Sequence, residues 1–314
     1  MGTTAIILVN WNGWKDTIEC LESFGWPVPG AHFFILDNHS TDDSVLQLEA
    51  WLSRRSPGFV TCTPDQLDGH DGLDHQATLV LNPVNQGFAG GNNVILRYLL
   101  RSDSYRYAWL LNNDTIVAKD SLAQLLEYLR THETCAFAGS VLLDYGRPGL
   151  IQCCSVRYYK YLGVSKLWLK NKEWKEIAEQ RPPLPDPSRC FQMGASLLVD
   201  IAKLGRIGLM DETYFMYSEE ADWQIRAQKL GLCNGMAWKS VIYHKGTVST
   251  AGRKHLFFYH YNRSAIILTR KNFGRIAALT ATISLTGVTI LRSKFQLKES
   301  LYGLKGIFSG WQAA

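Results

Sequence analysis

Four short apolar runs constrain this chain most, because each of them ends on a side-chain amide or carboxylate. Thr4 to Asn10, His32 to Asp37, Thr78 to Asn82 and Ala108 to Leu111, with Asn112 next, read as buried strands. Between and after them, apolar spacing predicts helices over Trp14 to Phe24, Asp42 to Arg54, Asn92 to Leu100 and Ser121 to Arg130, and a further short strand begins at Val60. Strand and helix alternating at this spacing imply crossover units, hence an α/β protein with a mostly parallel central sheet flanked by helices. Ligands of such sheets lie beyond the carboxyl ends of the strands. Asn10, Asp37, Asn82 to Asn85 and Asn112 to Asp114 are therefore expected along one polar rim.

The chain of 314 residues, 46% hydrophobic and 19% charged, is large enough for a substantial core and is not a disordered, collagenous or coiled-coil sequence. The run Ala5 to Val9 has no basic segment ahead of it and reads as a first strand, not a signal peptide. Seven cysteines show neither a disulfide framework nor zinc spacing, which predicts a reducing, cytoplasmic compartment. Charge is unevenly placed: residues 239–314 hold twelve Lys or Arg against the single acid Glu299, a formal +11, so residues 1–238 carry −6 of the net +5. A basic tail on an acidic body points to an anionic partner such as a membrane surface, a nucleic acid or a phosphorylated substrate.

Asp68 to His75 is acidic and contains two histidines, but it matches no calcium loop and reads as a solvated excursion. Residues 144–190, with Arg157-Tyr158-Tyr159-Lys160-Tyr161 and the break Pro182-Pro183-Leu184-Pro185, read as a long irregular insertion. Arg253 to Lys271 reads as a helix. Ile276 to Leu291 follows as sixteen residues without a charge between Arg275 and Arg292. At about 1.5 Å per residue it falls short of the roughly 30 Å hydrocarbon core. It and Phe295 to Trp311 either lie in a membrane interface or pack on the protein core. The division expected is an α/β domain over 1–250, with a first half to about 115 and a second from about 116, and a basic helical extension over 251–314.

Asp37 at a strand end can accept hydrogen bonds from a ribose or a base, or simply cap the following helix. Asn82 to Asn93 joins a strand to a helix through Gly87, Gly90 and Gly91, which lets the backbone approach a ligand at a helix N-terminus. Asn112-Asn113-Asp114 follows an apolar strand in the manner needed to hold a divalent cation against phosphate oxygens. Ser218 is expected to cap a helix that opens with Glu219, Glu220 and Asp222. Helical spacing pairs Asp222 with Arg226 and leaves Glu220 free to face a cleft as a general base. His244 ends a strand and could complete a metal site.

Taken together, Val9 to Gly13, Leu36 to Asp42, Asn82 to Asn93 and Leu110 to Thr115, reinforced by Gly194 to Leu198, Phe215 to Arg226 and His244, resemble the inverting family-2 glycosyltransferases of the GT-A fold, in particular their bacterial rhamnosyltransferase-like branch. The resemblance covers Ala5 to about Lys271. It implies that Asn10, Asn12, Asp37 and Asn38 serve the donor's nucleoside, and that Asn85, Gly87, Gly90 and Asn92, with Asn112 and Asn113, line the nucleotide-sugar pocket. Asn112 and Asp114 occupy the first and third places of a metal motif usually written D-x-D, and His244 completes the site for Mg²⁺ or Mn²⁺. The family's base is generally the Asp of a Glu-Asp pair. That pair is here Glu219-Glu220, so Glu220 is the expected base and Asp222 the alternative.

The function implied is transfer from dTDP-rhamnose or a UDP-sugar to a hydroxyl of a lipid-linked or growing cell-surface polysaccharide. Arg253, Lys254 and Arg263 are candidate contacts for an acceptor phosphate, and the basic extension would rest on the inner face of the plasma membrane. A dinucleotide-dependent oxidoreductase would share the sheet but needs a glycine fingerprint where Asn10-Trp11-Asn12-Gly13-Trp14 stands. A non-catalytic nucleotide-sugar or carbohydrate-binding module is the other alternative. The tail's aromatics sit in helices and not on a strand platform, which argues against nucleic acid.

Overall fold

The computed structural model describes residues 3–69, 75–186, 188–246 and 254–314. Residues 70–74, the middle of the expected acidic excursion, and Arg253 lie outside them. The central sheet begins with β1 (Thr3–Asn10), β2 (Ala31–Asp37), β3 (Val60–Cys62), β4 (Ala77–Leu81) and β5 (Tyr105–Leu111), all parallel, in the spatial order β3-β4-β2-β1-β5. Successive residues of β1 serve opposite faces: Ile6 and Leu8 join one core, Ala5 and Ile7 the other. Burial on both faces is what makes these strands read as continuous apolar runs. Helices α1 (Trp14–Glu22) and α2 (Ser44–Arg55) cover one face, and α3 (Gly87–Leu99) covers the other. In-register pairing of Asn10 with Asp37 aligns the strand ends.

Beyond β5 the sheet becomes mixed. The elements in chain order are β6 (Thr115–Val117), α4 (Ser121–Thr131), β7 (Cys135–Asp144) and β8 (Arg147–Cys153), then, after an intervening segment, β12 (Ser196–Asp200), α6 (Ile201–Ile207), α7 (Glu219–Lys229) and β13 (Cys233–His244). The order continues β5-β12-β7-β13-β6, with β12 antiparallel to both neighbours and β8 antiparallel to β7. The intervening segment is not irregular as expected. It forms β9 (Ser155–Tyr159), β10 (Val164–Trp168), α5 (Trp174–Gln180) and β11 (Cys190–Phe191), and the strands make a separate antiparallel sheet in the order β10-β9-β11. These strands are short and partly exposed, so no apolar alternation marks them, and Cys190 finds its partner Arg157 across 33 positions of chain.

The cysteine expectation also fails at one pair. Cys135 and Cys233 stand opposite each other on β7 and β13 and form a disulfide, 98 positions apart. Spacing along the chain carries no trace of a pairing that strand register creates.

The C-terminal extension is α8 (Lys254–Arg292), broken at Gly274 where φ is 88°, and α9 (Leu297–Ala313). Ala265 to Thr269 of the first arm are buried, with Ile267 and Leu268 against Tyr158, Tyr214 and Ile225. The second arm and α9 close on it through Ala281, Leu285 and Ile307. A Cβ at Gly306 would stand 2.2 Å from the Tyr259 carbonyl oxygen, so only glycine allows that approach. The other sides of the second arm and α9 are open: Ile276, Ile283, Leu291, Leu297 and Phe308 are each 66–77% exposed. Of the two readings of these helices, packing therefore describes one face and leaves the opposite face unpartnered.

Candidate functional site

Asn10 is fully buried at the end of β1, and its amide nitrogen donates to Asp37 Oδ1 at 2.8 Å and to Ser40 Oγ at 3.2 Å, while its oxygen accepts from Thr17. Its polar atoms are thus spent on holding Asp37 rather than on a ligand. Asp37 accepts the Ser40 amide through Oδ2, and Asn12 ties the first two strand ends together by accepting from the Thr41 amide at 2.7 Å. Asn38 is the hub of the next turn. It donates to Asn85 and to the Gly87 carbonyl, and accepts from Asn82 and the Gln86 amide.

Gly87 starts α3 with φ 69°, and a Cβ there would lie 2.2 Å from the Phe215 carbonyl oxygen. That oxygen accepts the Phe88 amide at 3.0 Å, so the loop expected to line the donor pocket is docked on the segment that leads into α7. Gly90 packs on Gln86, and Asn92 is buried with its amide on the Phe88 carbonyl, an interaction within α3. Asn113 turns back toward α1 and donates to Thr17 at 2.9 Å.

Antiparallel pairing of β6 with β13 sets His244 opposite Thr115 and so beside Asp114. His244 Nε2 is 3.2 Å from Asp114 Oδ1 and 3.4 Å from the Asn112 amide nitrogen. Its other nitrogen, Nδ1, lies 2.6 Å from Gln152 Oε1. A ring that donates its Nδ1 proton to Gln152 presents Nε2 as a lone pair toward the carboxylate, the orientation that metal-binding histidines use. Burial pushes the Asp114 carboxyl up, but its contacts with His244, a backbone amide and the charge of Lys245 outweigh that and keep Asp114 below the usual range. Among the described residues no cluster of three His, Cys, Asp or Glu could hold a metal. One carboxylate, one imidazole and one amide nonetheless fit a divalent ion that takes its remaining ligands from a diphosphate.

Glu219 and Glu220 open α7 after Tyr217 and Ser218, both at φ 69°. Ser218 makes no side-chain cap; a left-handed residue there aims its hydroxyl elsewhere. Each glutamate keeps one buried oxygen, Oε2, with no hydrogen-bond partner among the described residues. Burial pushes both carboxyls up, Glu219 furthest, with the neighbouring Glu220 adding to it; backbone amides at Glu220 and Gly194 partly restrain Glu220. The Gly194 position, extended by a Cβ, would be 3.8 Å from Glu220 Cβ and 3.2 Å from Phe88. The next residue, Ala195, accepts the Asn112 amide at 3.0 Å. Glu220, the donor loop and the Asn112 to Asp114 turn therefore meet at the start of β12.

Asp222 does not join them. Its carboxylate accepts from Arg226 at 3.0 Å and Asn272 at 2.7 Å, facing the helical extension. Arg263 is also occupied, donating to the Thr213 carbonyl and to Ser309, so it clamps helices instead of waiting for an acceptor phosphate. Lys254 is exposed.

Two contributors escaped sequence reasoning. Gln152 sits in the segment read as irregular, and nothing nearby marks it. Lys245 bridges Asp16 and Glu19 of α1 at 2.5 Å each, while its amide donates to the Asp114 carbonyl, which locks α1 to the Asn112 to Asp114 turn. Two acids three positions apart on one helix face were a signal that a cation stands opposite.

The model of the family described as "Glycosyl transferase family 2" matches residues 5–194. A curated relative, the low-salt glycan biosynthesis hexosyltransferase Agl10 of Haloferax volcanii, is 21% identical over 305 residues, 94% of this chain and 85% of its own. Among solved structures, the mannosyltransferase PcManGT from Pyrobaculum calidifontis in complex with GDP-Man and Mn²⁺ superposes with a TM-score of 0.57 at 13% identity, over 99% of this chain and 86% of that one. TarS of S. aureus in complex with UDP-GlcNAc gives 0.52 at 14% identity, over 99% and 81%. GalNAc-T7 with UDP, GalNAc and Mn²⁺ gives 0.56 at 12% identity over 78% of this chain, which spans less than half of that protein's length. At these identities the solved structures share the fold.

Proposed function

We propose a function from one established fact: this chain belongs to glycosyl transferase family 2 and has the GT-A fold. It is a glycosyltransferase, which displaces the oxidoreductase reading. The reaction proposed is a single inverting displacement at the anomeric carbon of a nucleoside-diphosphate sugar, dTDP-rhamnose or a UDP-sugar. The observation that carries it is the meeting of the Asp114–His244 pair, the Asn85 to Phe88 turn and Glu220 at the start of β12.

Glu220 takes the proton of an acceptor hydroxyl as that oxygen bonds to the anomeric carbon. The bond from that carbon to the diphosphate breaks, and the leaving oxygen keeps the electron pair. Burial that holds the Glu220 carboxyl above its ordinary range makes it a stronger base once ionised. Asn112, Asp114 and His244 would hold Mg²⁺ or Mn²⁺; the ion, when bound, neutralises charge on the leaving diphosphate. Asp37, fixed by Asn10 and Ser40, would serve the nucleoside.

The acceptor proposed is a lipid-linked or growing cell-surface polysaccharide at the cytoplasmic face of the membrane. Support comes from the open apolar faces of the second arm of α8 and of α9, flanked by Arg292, Lys294, Lys298 and Lys305. Nucleoside-diphosphate release is assayed across UDP-, GDP- and dTDP-sugars with Mn²⁺ or Mg²⁺. Release from one donor that disappears with EDTA supports the transfer; a chain that binds no sugar nucleotide ends it. Flotation with phosphatidylcholine vesicles containing phosphatidylglycerol tests the surface. The double substitution Ile283→Glu and Phe308→Glu should abolish flotation, and equal flotation of variant and wild type sinks the membrane assignment.

A further inference from the structure

The aromatic side chains that flank the paired glutamates take no part in the steps above. Two consecutive non-glycine residues, Tyr217 and Ser218, hold left-handed φ values of 69° immediately before α7, at a cost on the order of 1–3 kcal/mol each. The turn they make sets the Tyr217 ring against the first arm of α8. There it meets Phe257 edge-on at 5.6 Å between centroids and Tyr261 at 6.2 Å. Phe257 and Tyr261 lie nearly parallel, 5.5 Å apart with 25° between planes. The group is braced from behind. Phe258 is buried against Phe257, and the Tyr261 hydroxyl accepts the Ser165 amide of β10 at 3.0 Å. Despite this bracing, Tyr217, Phe257 and Tyr261 all stay partly exposed.

We propose that Tyr217, Phe257 and Tyr261 form the platform on which the acceptor's sugar ring lies, the ring whose hydroxyl Glu220 deprotonates. This rests on the transferase reading and deepens it by naming where the acceptor binds. A pyranose has a face of C–H groups and a rim of hydroxyls. It is held by aromatic carbon under the face and by a few polar atoms at the rim. Both are present here. The three rings supply carbon and no charge, and Tyr217 lies three residues before Glu220, within roughly 11 Å of chain. Glu220 Oε2, buried and without a hydrogen-bond partner among the described residues, is the rim atom that a hydroxyl would satisfy. Two residues before Tyr217, Phe215 packs on Gly87 and stacks on His260 at 5.0 Å. Phe215 thereby ties the segment that carries Tyr217 to the loop proposed to bind the donor.

The test is saturation-transfer NMR on the full chain, with methyl pyranosides of glucose, galactose, mannose, rhamnose and N-acetylglucosamine as probes. At least one probe should receive saturation at its ring protons. Phe257→Leu and Tyr217→Leu should each cut it about threefold to tenfold, the size of one aromatic contact. Phe257→Tyr and Tyr217→Phe keep the ring and should bind as the wild type does, which separates lost stacking from a disturbed fold. UDP, GDP and dTDP binding is measured in parallel by calorimetry. If the wild type binds a nucleoside diphosphate but saturates no pyranoside, or if the Leu variants saturate it equally, the platform is overturned and the transferase reading survives. If no nucleoside diphosphate binds, that reading itself fails.

Discussion

The two sides of the proposed site use their polar groups in opposite ways. On the side proposed for the nucleotide, Asn10, Asp37, Asn38, Asn82 and Asn85 hydrogen-bond one another and the turns they sit in, so little of their capacity is left over. On the side proposed for the acceptor, Glu219 and Glu220 each keep a buried oxygen with no hydrogen-bond partner among the described residues. A satisfied network holds its shape without a ligand. An unsatisfied buried group costs about 1–3 kcal/mol, and it persists where the surrounding structure enforces it and an incoming group can relieve it. The frame is thus on one side and the reactive polarity on the other.

Glu220→Gln tests that contrast hardest. It should lower transfer by about 10²–10⁴-fold, the range for a lost general base, while sugar-nucleotide affinity stays within about twofold. An active variant would move the reactive group elsewhere. Asn38→Ala strikes the frame and leaves Asn82, Asn85 and the Gln86 amide short of partners. Urea unfolding should show a loss of about 2–4 kcal/mol, and a loss under about 0.5 kcal/mol would deny the network its structural role. Gln152→Leu should weaken Mn²⁺ binding about 10–100-fold, the usual cost of removing the partner that orients a ligating histidine. Electron paramagnetic titration reads this, and unchanged affinity would unseat His244 as a ligand.

Glu219→Gln should have the smallest effect, and in the stabilising direction. Because the folded-state pKa of Glu219 is raised, the native chain binds the extra proton between the ordinary and the raised value, and wild-type stability falls as pH climbs through that window. Gln does not titrate. The variant should therefore melt roughly 2–4 °C higher at pH 8, and the gap should close in acid below the ordinary carboxylate range. A gap that widens in acid would reverse the assignment.

The strands, the rim and the Asp222–Arg226 pair were legible because each follows from local periodicity or from a polar residue ending a buried run, whereas Asp114 and His244 were joined only by the family resemblance. Asn10 shows where local reading stops. Its type suits a ligand contact, but Thr17 and Ser40, at other chain positions, take up its polar atoms. Gln152, the Cys135–Cys233 bond and the β10-β9-β11 sheet were invisible for a related reason, since each depends on partners brought together by strand register.

By itself the sequence determined that this is an α/β protein whose strands deliver amides and acids to one edge, because period and burial act over a few residues. Only the tertiary structure decided which of those groups are consumed by neighbours, as at Asn38 and Asn10, and which remain available, as at Glu220. Hydrogen-bond capacity is finite, and where it is spent depends on contacts between segments far apart in the chain.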